Sequence, residues 1–233
     1  MKYLRSLFLW LIGGSFFLFS FCLLIPSIFF RSPDKTFSLA RFLFSILVAI
    51  MGIELDVRGK EHIDPEKSYL ILGNHQSLFV LFVIPTAIPS CLVGVEAAYH
   101  FSIPIWGYLI RKWGNIPIER NNLDRARRSL ETAREKMDQG WSIVILPEGH
   151  RTLTGEMGPF KKGPFHLAKS MEPEILPFGI KGLFHYHPKG HFILSPGKVV
   201  VTIGKPVAPE AYKNLSVEKL RDLIHGKIEA VSK

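Results

Sequence analysis

Residues 69–77 read YLILGNHQS. Its first part is an apolar run ending in glycine, and Asn74 and His75 follow at once. A short apolar run bounded in this way is typical of a buried strand. Binding sites of α/β folds lie where strands end and helices begin. A histidine after a strand is usually an ordinary loop residue, so the interpretation of Asn74 and His75 depends on the rest of the chain.

Similar runs alternate with helical segments on both sides of this stretch. The predicted strands cover residues 55–58, 69–73, 92–95, 115–119, 142–146, 175–180, 192–194 and 199–203. The clearest helix covers residues 123–139, and another begins at the Ser216 cap. Strand–helix alternation predicts an α/β fold with a largely parallel sheet flanked by helices. Pro177 lies inside one run, which favours an edge or substrate-lining strand there.

The amino terminus has a different pattern. An uncharged apolar run lies between Arg5 and Arg31. As a helix it would be roughly 37 Å long, more than the ~30 Å hydrocarbon core of a bilayer requires. Because residues 28–30 offer no small-residue cleavage site, an uncleaved anchor is favoured over a signal peptide. A second apolar run, 42–53, is too short to span a bilayer alone.

We therefore predict a membrane anchor of two apolar helices over residues 1–53 and a catalytic domain over residues 54–233. A hairpin in one leaflet and a spanning helix with an interfacial partner both fit the pattern. The net charge of +9 suits anionic partners, whether nucleic acid, phospholipid headgroups or phosphorylated substrates. With two cysteines, one of them in the apolar run, a disulfide framework is not expected.

Further candidate motifs follow the Asn-His pair in order along the chain. They are GNIPIER at 114–120, LPEGHR at 146–151, FKKG at 160–163 and ILPFGI at 175–180. Two of them end an apolar run in an acid and a base. Proline and glycine in the second predict a tight turn that displays Glu148 and Arg151 side by side.

In order and approximate spacing, the Asn-His pair, GNIPIER, LPEGHR and ILPFGI resemble the four sequence blocks of the glycerol-phosphate and lysophosphatidate acyltransferases. The resemblance covers about residues 74–180 and implies that His75, with Asn74, forms the catalytic block and that His75 removes a proton from an acceptor hydroxyl. Guanidinium groups pair well with phosphate oxygens, so the resemblance assigns Arg120 and Arg151 to the acceptor phosphate. It adds the residues Glu148, Gly149 and Lys161 to the substrate-binding set.

The activity implied is acyl transfer from acyl-CoA or acyl-carrier protein to the free hydroxyl of lysophosphatidate, giving phosphatidate. No metal or redox cofactor is expected. The partners expected are membrane lipid, a lysophospholipid acceptor and the acyl donor, and no nucleic acid. The site is expected to face the cytoplasm, where acyl thioesters are made. The acceptor headgroup, the acyl length and the choice of donor stay open.

The sequence departs from the family at one catalytic position. The first block is Asn-His, four residues and then aspartate, but here the aspartate position is Val80. The resemblance implies that the aspartate orients the imidazole and stabilises its protonated form, and valine does neither. Three interpretations stay open: an inactivated member, a histidine oriented by another group, or a protein that only binds acidic lipid. Before Ile103, where the family often has lysines, residues 96–99 include none.

Two other clusters of charged or ligating residues are interpreted more plainly. His185, His187 and His191 lack a cysteine or carboxylate that would complete a metal site, so metal binding there is not predicted. Four arginines between residues 125 and 134 share their helix with acidic residues, which indicates a solvated face rather than a nucleic-acid site.

Overall fold

The computed structural model describes residues 1–104, 106–118 and 123–233, with the backbone alone at 33–34 and 123–127. In these ranges one mixed sheet of seven strands has the order β1-β7-β6-β2-β5-β3-β4. The strands are β1 (Ile53–Arg58), β2 (Leu70–Gly73), β3 (Leu92–Ala97), β4 (Ile116–Ile118), β5 (Ser142–Ile145), β6 (Ile175–Lys181) and β7 (Gly197–Ile203). Neighbouring strands are parallel except for the antiparallel pair β6–β7.

Helices connect and flank the strands. They are α1 (Lys2–Phe30), α2 (Pro33–Ile50), α3 (Val80–Ala87), α4 (Trp106–Trp113), α5 (Leu123–Asp138), α6 (Gly163–Met171), α7 (Leu183–Tyr186) and α8 (Val217–Ser232). The cap predicted for the last helix is present, since Ser216 Oγ accepts a hydrogen bond from Lys219 N at 3.2 Å. The predicted α/β class and largely parallel sheet are confirmed.

The centre of the sheet is formed by β2, whose leucine and isoleucine side chains are fully buried. Such a continuous apolar strand is expected where helices cover both faces of a parallel sheet. Gly73 ends the strand, and a Cβ there would lie 2.2 Å from the ring of Phe178. Glycine therefore lets the neighbouring strand pack closely at the point where the chain turns toward Asn74 and His75.

Two expectations about the carboxyl-terminal half are wrong. Residues 192–194 are not a strand. Their backbone pairs with side chains of α1: Trp10 Nε1 donates to Phe192 O at 2.9 Å, and Leu194 N donates to Ser6 Oγ at 3.0 Å. Of the two positions predicted for the strand that contains Pro177, the edge position is wrong, because β6 lies between β7 and β2, and the substrate-lining position stays a prediction. Pairing with β7 begins only at Phe178, so the missing N–H of proline interrupts no bond of that ladder.

The helix α1 packs through small side chains and exposes large apolar ones. Its buried face includes Ser6, Gly13, Ser20 and Ser27, which are spaced seven residues apart. Small residues at a helix interface let backbones approach closely. The exposed face carries leucine and phenylalanine side chains, and of the described helices α1 alone is long and apolar enough to cross a membrane.

The second predicted anchor helix, α2, is partly a core element. Its residues Phe37, Leu47 and Val48 belong to the same buried cluster as the central strands. In the structure, the face of α2 that they form is therefore continuous with the sheet domain. The assignment of residues 1–53 as a membrane anchor stays a prediction.

Candidate functional site

The candidate site lies at the carboxyl ends of the central parallel strands. β2 pairs in parallel with both β5 and β6, so the carboxyl ends of the three strands lie side by side. The loop after Gly73 carries Asn74 and His75, and the turn after Ile145 carries Glu148. The topology therefore brings together two motifs that are far apart in the sequence.

Asn74 connects the first motif to β6. Its side chain is buried, and Nδ2 donates to Ile180 O at 2.9 Å while Oδ1 accepts from Ile180 N at 2.7 Å. These two bonds continue the sheet pairing beyond the end of β2. They engage the amide oxygen and nitrogen with the backbone of β6, so Asn74 positions the loop that carries His75.

Glu148 holds the same loop from the other side. Its side chain is 1% exposed; Oε1 accepts from His75 N at 2.6 Å and Oε2 from Gly158 N at 2.9 Å. Burial raises the pKa of the carboxyl above its ordinary value, although both N–H donors oppose the rise. Thr152 N also donates to His75 O at 2.9 Å. The turn therefore fixes the backbone of His75 at both of its polar groups.

The predicted tight turn after β5 is present. Gly149 has a φ of +75°, and its N–H donates to Leu146 O at 3.0 Å. A positive φ is adopted readily by glycine and rarely by other residues. Lys161 N donates to Pro147 O at 2.8 Å, which brings the Lys-Lys segment beside this turn, and its side chain is exposed. Arg151 is partly buried and lies near His75.

The imidazole of His75 is less well supported than its backbone. Nδ1 is buried and has no hydrogen-bond partner within the described ranges. The pKa of His75 falls from 6.5 to about 4, mainly because burial disfavours the charged ring, and then because of electrostatic repulsion from Arg151, His150 and Lys189. The ring is therefore neutral at pH 7.

The residue five positions after His75 is the buried Val80, 3% exposed, at the start of α3. Residues 74–77 have no regular secondary structure, so His75 and Val80 do not lie on one continuous helix. To accept a proton at Nε2, the neutral ring must carry its hydrogen on Nδ1. That hydrogen would be a buried donor with no acceptor among the described residues, so nothing favours this tautomer.

Other predicted residues are placed less centrally. Arg120 lies outside the described residues. Glu96 stands in the stretch where lysine was expected, and its carboxylate is engaged by Asn115 Nδ2 at 2.5 Å and His100 Nδ1 at 2.8 Å. No cluster of metal-ligating side chains occurs in the described part of the chain.

Sequence reasoning missed two residues, one near His75 and one that packs on the segment after it. Lys189 is close enough to lower the pKa of His75, and Trp10 packs against Phe79 with ring centroids 5.9 Å apart. Neither belongs to a motif. An indole in the apolar run was the signal for Trp10, and the dense cluster of basic and histidine residues at 185–191 was the signal for Lys189.

Comparison with known proteins agrees with this geometry. A family model described as Acyltransferase matches residues 54–181. The 1-acyl-sn-glycerol-3-phosphate acyltransferase of Saccharomyces cerevisiae is 26% identical over 185 residues, which cover 78% of this chain and 59% of that protein. The Ovis aries 1-acyl-sn-glycerol-3-phosphate acyltransferase alpha is 27% identical over 216 residues, covering 92% of this chain and 75% of that protein.

A solved structure is similar over nearly the whole chain. The crystal structure of the 1-acyl-sn-glycerophosphate (LPA) acyltransferase PlsC from Thermotoga maritima superposes with a TM-score of 0.83 at 25% identity. The match covers 99% of this chain and 96% of that chain, so it includes α1 and α2 as well as the sheet.

Proposed function

Since this chain belongs to the acyltransferase family, among whose members it matches lysophosphatidate acyltransferases, we propose that it transfers an acyl group to the free hydroxyl of lysophosphatidate, giving phosphatidate. The acyl donor is acyl-CoA or acyl-carrier protein. The observation that carries the proposal is the placement of His75 at one sheet edge, with its backbone held by Glu148 and with Arg151 beside it.

The proposed reaction uses His75 Nε2 as the base. It takes the proton of the acceptor hydroxyl while the oxygen attacks the thioester carbonyl. The new C–O bond forms, the C–S bond breaks, and the thiolate leaves with the proton that His75 returns. Arg151 and Arg120 bind the acceptor phosphate, since guanidinium donors match phosphate oxygens. With its low pKa, His75 is a weak base, because the same pKa measures how readily the ring accepts a proton.

We also propose that residues 1–53 attach the protein to the membrane, with the site on the cytoplasmic side, where both donors are made. The exposed apolar face of α1 supports the attachment. In this arrangement the acceptor reaches His75 from the bilayer, and the thioester arrives from the aqueous side.

A second candidate function is binding of acidic lipid without turnover. It is favoured by Nδ1 of His75, which has no hydrogen-bond partner among the described residues, and by the valine at position 80. The two candidates share the phosphate-binding residues and differ only in chemistry at His75.

Purified full-length protein in detergent, supplied with lysophosphatidate and either acyl-CoA or acyl-carrier protein, separates the two candidates. We expect phosphatidate to form, and His75→Ala to lower turnover by about 10²–10⁴-fold, the contribution typical of a general base. His166→Ala is the matched control, because His166 is exposed on α6, outside the loop that carries His75 and the turn that carries Glu148. Lysophosphatidate binding with no product from either donor would favour the second candidate, and turnover that survives His75→Ala would exclude His75 as the base.

A further inference from the structure

A loop outside the four motifs lies between the first helix and the candidate site. We call residues 187–196 the strap. It runs from the end of α7 to the start of β7 without regular secondary structure. On one side it is bound to α1 through Trp10 Nε1, which donates to Phe192 O, and through Ser6 Oγ, which accepts from Leu194 N. Ser6 and Leu194 are fully buried, so their bond lies in the folded interior, whereas the bond from Trp10 to Phe192 lies at the surface.

On its other side the strap is bound to the loop that carries the base. Ser77, two residues after His75, donates through Oγ to His187 O at 2.8 Å. The ring of His187 then closes the first turn of the strap, since Nε2 donates to His191 O at 2.8 Å. Lys189 stands at the tip of this turn. These bonds hold the backbone of the turn that carries Lys189 beside the loop that carries His75.

Lys189 is exposed, and no carboxylate contacts it among the described residues. Its charge acts on the imidazole of His75, as does that of Arg151 from the turn after β5. Glu148, the buried carboxylate of this site, already accepts from two backbone N–H groups. Two cations thus approach the base from different elements, and neither has an acidic partner of its own in the described structure.

The stretch before Ile103 contributes no lysine to the site, although the family often has lysines there. In the stretch before Ile103 the sequence has Glu96 in place of lysine, and that carboxylate is held by Asn115 and His100. The strap supplies a positive charge that this stretch does not. A phosphate monoester placed beside the base would satisfy both unneutralised cations at once.

We propose that Lys189, together with Arg151, binds the phosphate group of the acceptor, and that the strap is a phosphate-recognition element. Lysine suits this task because its ammonium group is a compact charge on a flexible stem. The identity of the ligand as lysophosphatidate rests on the proposed function, whereas binding of a phosphate monoester at Lys189 does not. Through Trp10 and Ser6, the strap also connects headgroup binding to the helix proposed to lie in the membrane.

The test is equilibrium binding to the full chain in neutral detergent, which needs no turnover. The probes are lysophosphatidate, monoacylglycerol of the same chain length, and inorganic phosphate in separate titrations. We expect Lys189→Ala to raise the Kd for lysophosphatidate about tenfold or more, the loss expected for one charge-assisted hydrogen bond. Monoacylglycerol binding should not change. Inorganic phosphate should bind more weakly than the lipid, since it buries no acyl chain, and should lose affinity in the same variant.

Lys205→Ala is the matched control, because this exposed lysine follows β7 at the opposite edge of the sheet. It should leave all three affinities within about twofold, while Lys189→Arg should keep most of the lysophosphatidate affinity. Equal affinities for Lys189→Ala and Lys205→Ala would overturn the proposal. Thermal melting of each variant confirms the fold, and because Lys189 is exposed we expect no change in Tm. A parent protein that binds lysophosphatidate through Lys189 but transfers no acyl group would refute the proposed function and leave this inference standing.

Discussion

The candidate site contains two buried ionisable groups, Glu148 and His75, and their hydrogen bonding differs. In the turn after β5, both oxygens of Glu148 accept backbone hydrogen bonds, from His75 and Gly158. In the loop after β2, the inner nitrogen of the His75 ring has no partner in the described structure. A buried polar group without a partner is costly, and native proteins rarely keep one without reason.

The difference shows that the backbone scaffold of the site is formed, whereas the ring of His75 has no partner at Nδ1 among the described residues. A site that had decayed generally would be expected to lose the Glu148 bonds and the pairing of Asn74 with Ile180 as well. Both are intact. The position that differs from the family, Val80, belongs to the hydrophobic core, so the change has been absorbed by apolar packing.

The largest effect is expected from giving His75 a carboxylate partner. Val80→Asp should raise the turnover number by about 10²-fold or more, because the acid fixes the productive tautomer and stabilises the imidazolium as it forms. The apparent affinity for the acceptor should change less. Initial rates at saturating substrates measure the effect.

Val83→Asp is the matched control, since Val83 is also buried on α3 and is fully enclosed. It should destabilise the protein without any gain in rate, because an unpaired buried carboxylate is unfavourable. A folded Val80→Asp protein that is no faster than the parent would show that His75 already has a sufficient partner or that the site is incomplete elsewhere.

The second-largest effect is expected from removing the carboxylate of Glu148, which holds the backbone of His75. Glu148→Ala leaves the N–H groups of His75 and Gly158 without their acceptor, at roughly 1–3 kcal/mol for each buried group. We expect a lower Tm and an activity loss of about 10²-fold, since a small displacement of a catalytic group has such a cost. Glu156→Ala, an exposed acid in the same segment, should behave as the parent. Near-parental activity in Glu148→Ala would mean that the turn does not position the base.

The sequence predicted the sheet and the motif residues but not their partners. Short apolar runs indicate strands wherever the partner is another strand, as at residues 69–73. The run at 192–194 misled because its backbone pairs with Trp10 and Ser6, which lie far away in the chain. Likewise the Pro-Glu-Gly motif identified Glu148, whereas only the fold shows that both of its oxygens serve the backbone.

A smaller effect is expected at α1, where one face packs on the protein and the other is exposed and apolar. Deleting residues 1–53 would also remove core side chains of α2, so substitutions are the better test. Leu11→Asp combined with Leu18→Asp changes two exposed side chains and should shift protein from the membrane fraction to the soluble fraction without unfolding it. Ala208→Asp, exposed at the far edge of the sheet, is the control. An unchanged distribution would show that attachment does not depend on this face of α1.

The most direct measurement is the pH titration of His75 itself, by NMR of histidine-labelled protein, with the resonance assigned by its loss in His75→Ala. In the parent we expect a midpoint of about 4, because burial and nearby positive charge oppose protonation and no carboxylate of the described residues favours it. Val80→Asp should move the midpoint up toward or beyond the ordinary value of 6.5. A parent midpoint already at 6.5 or higher would contradict the claim that His75 lacks a partner.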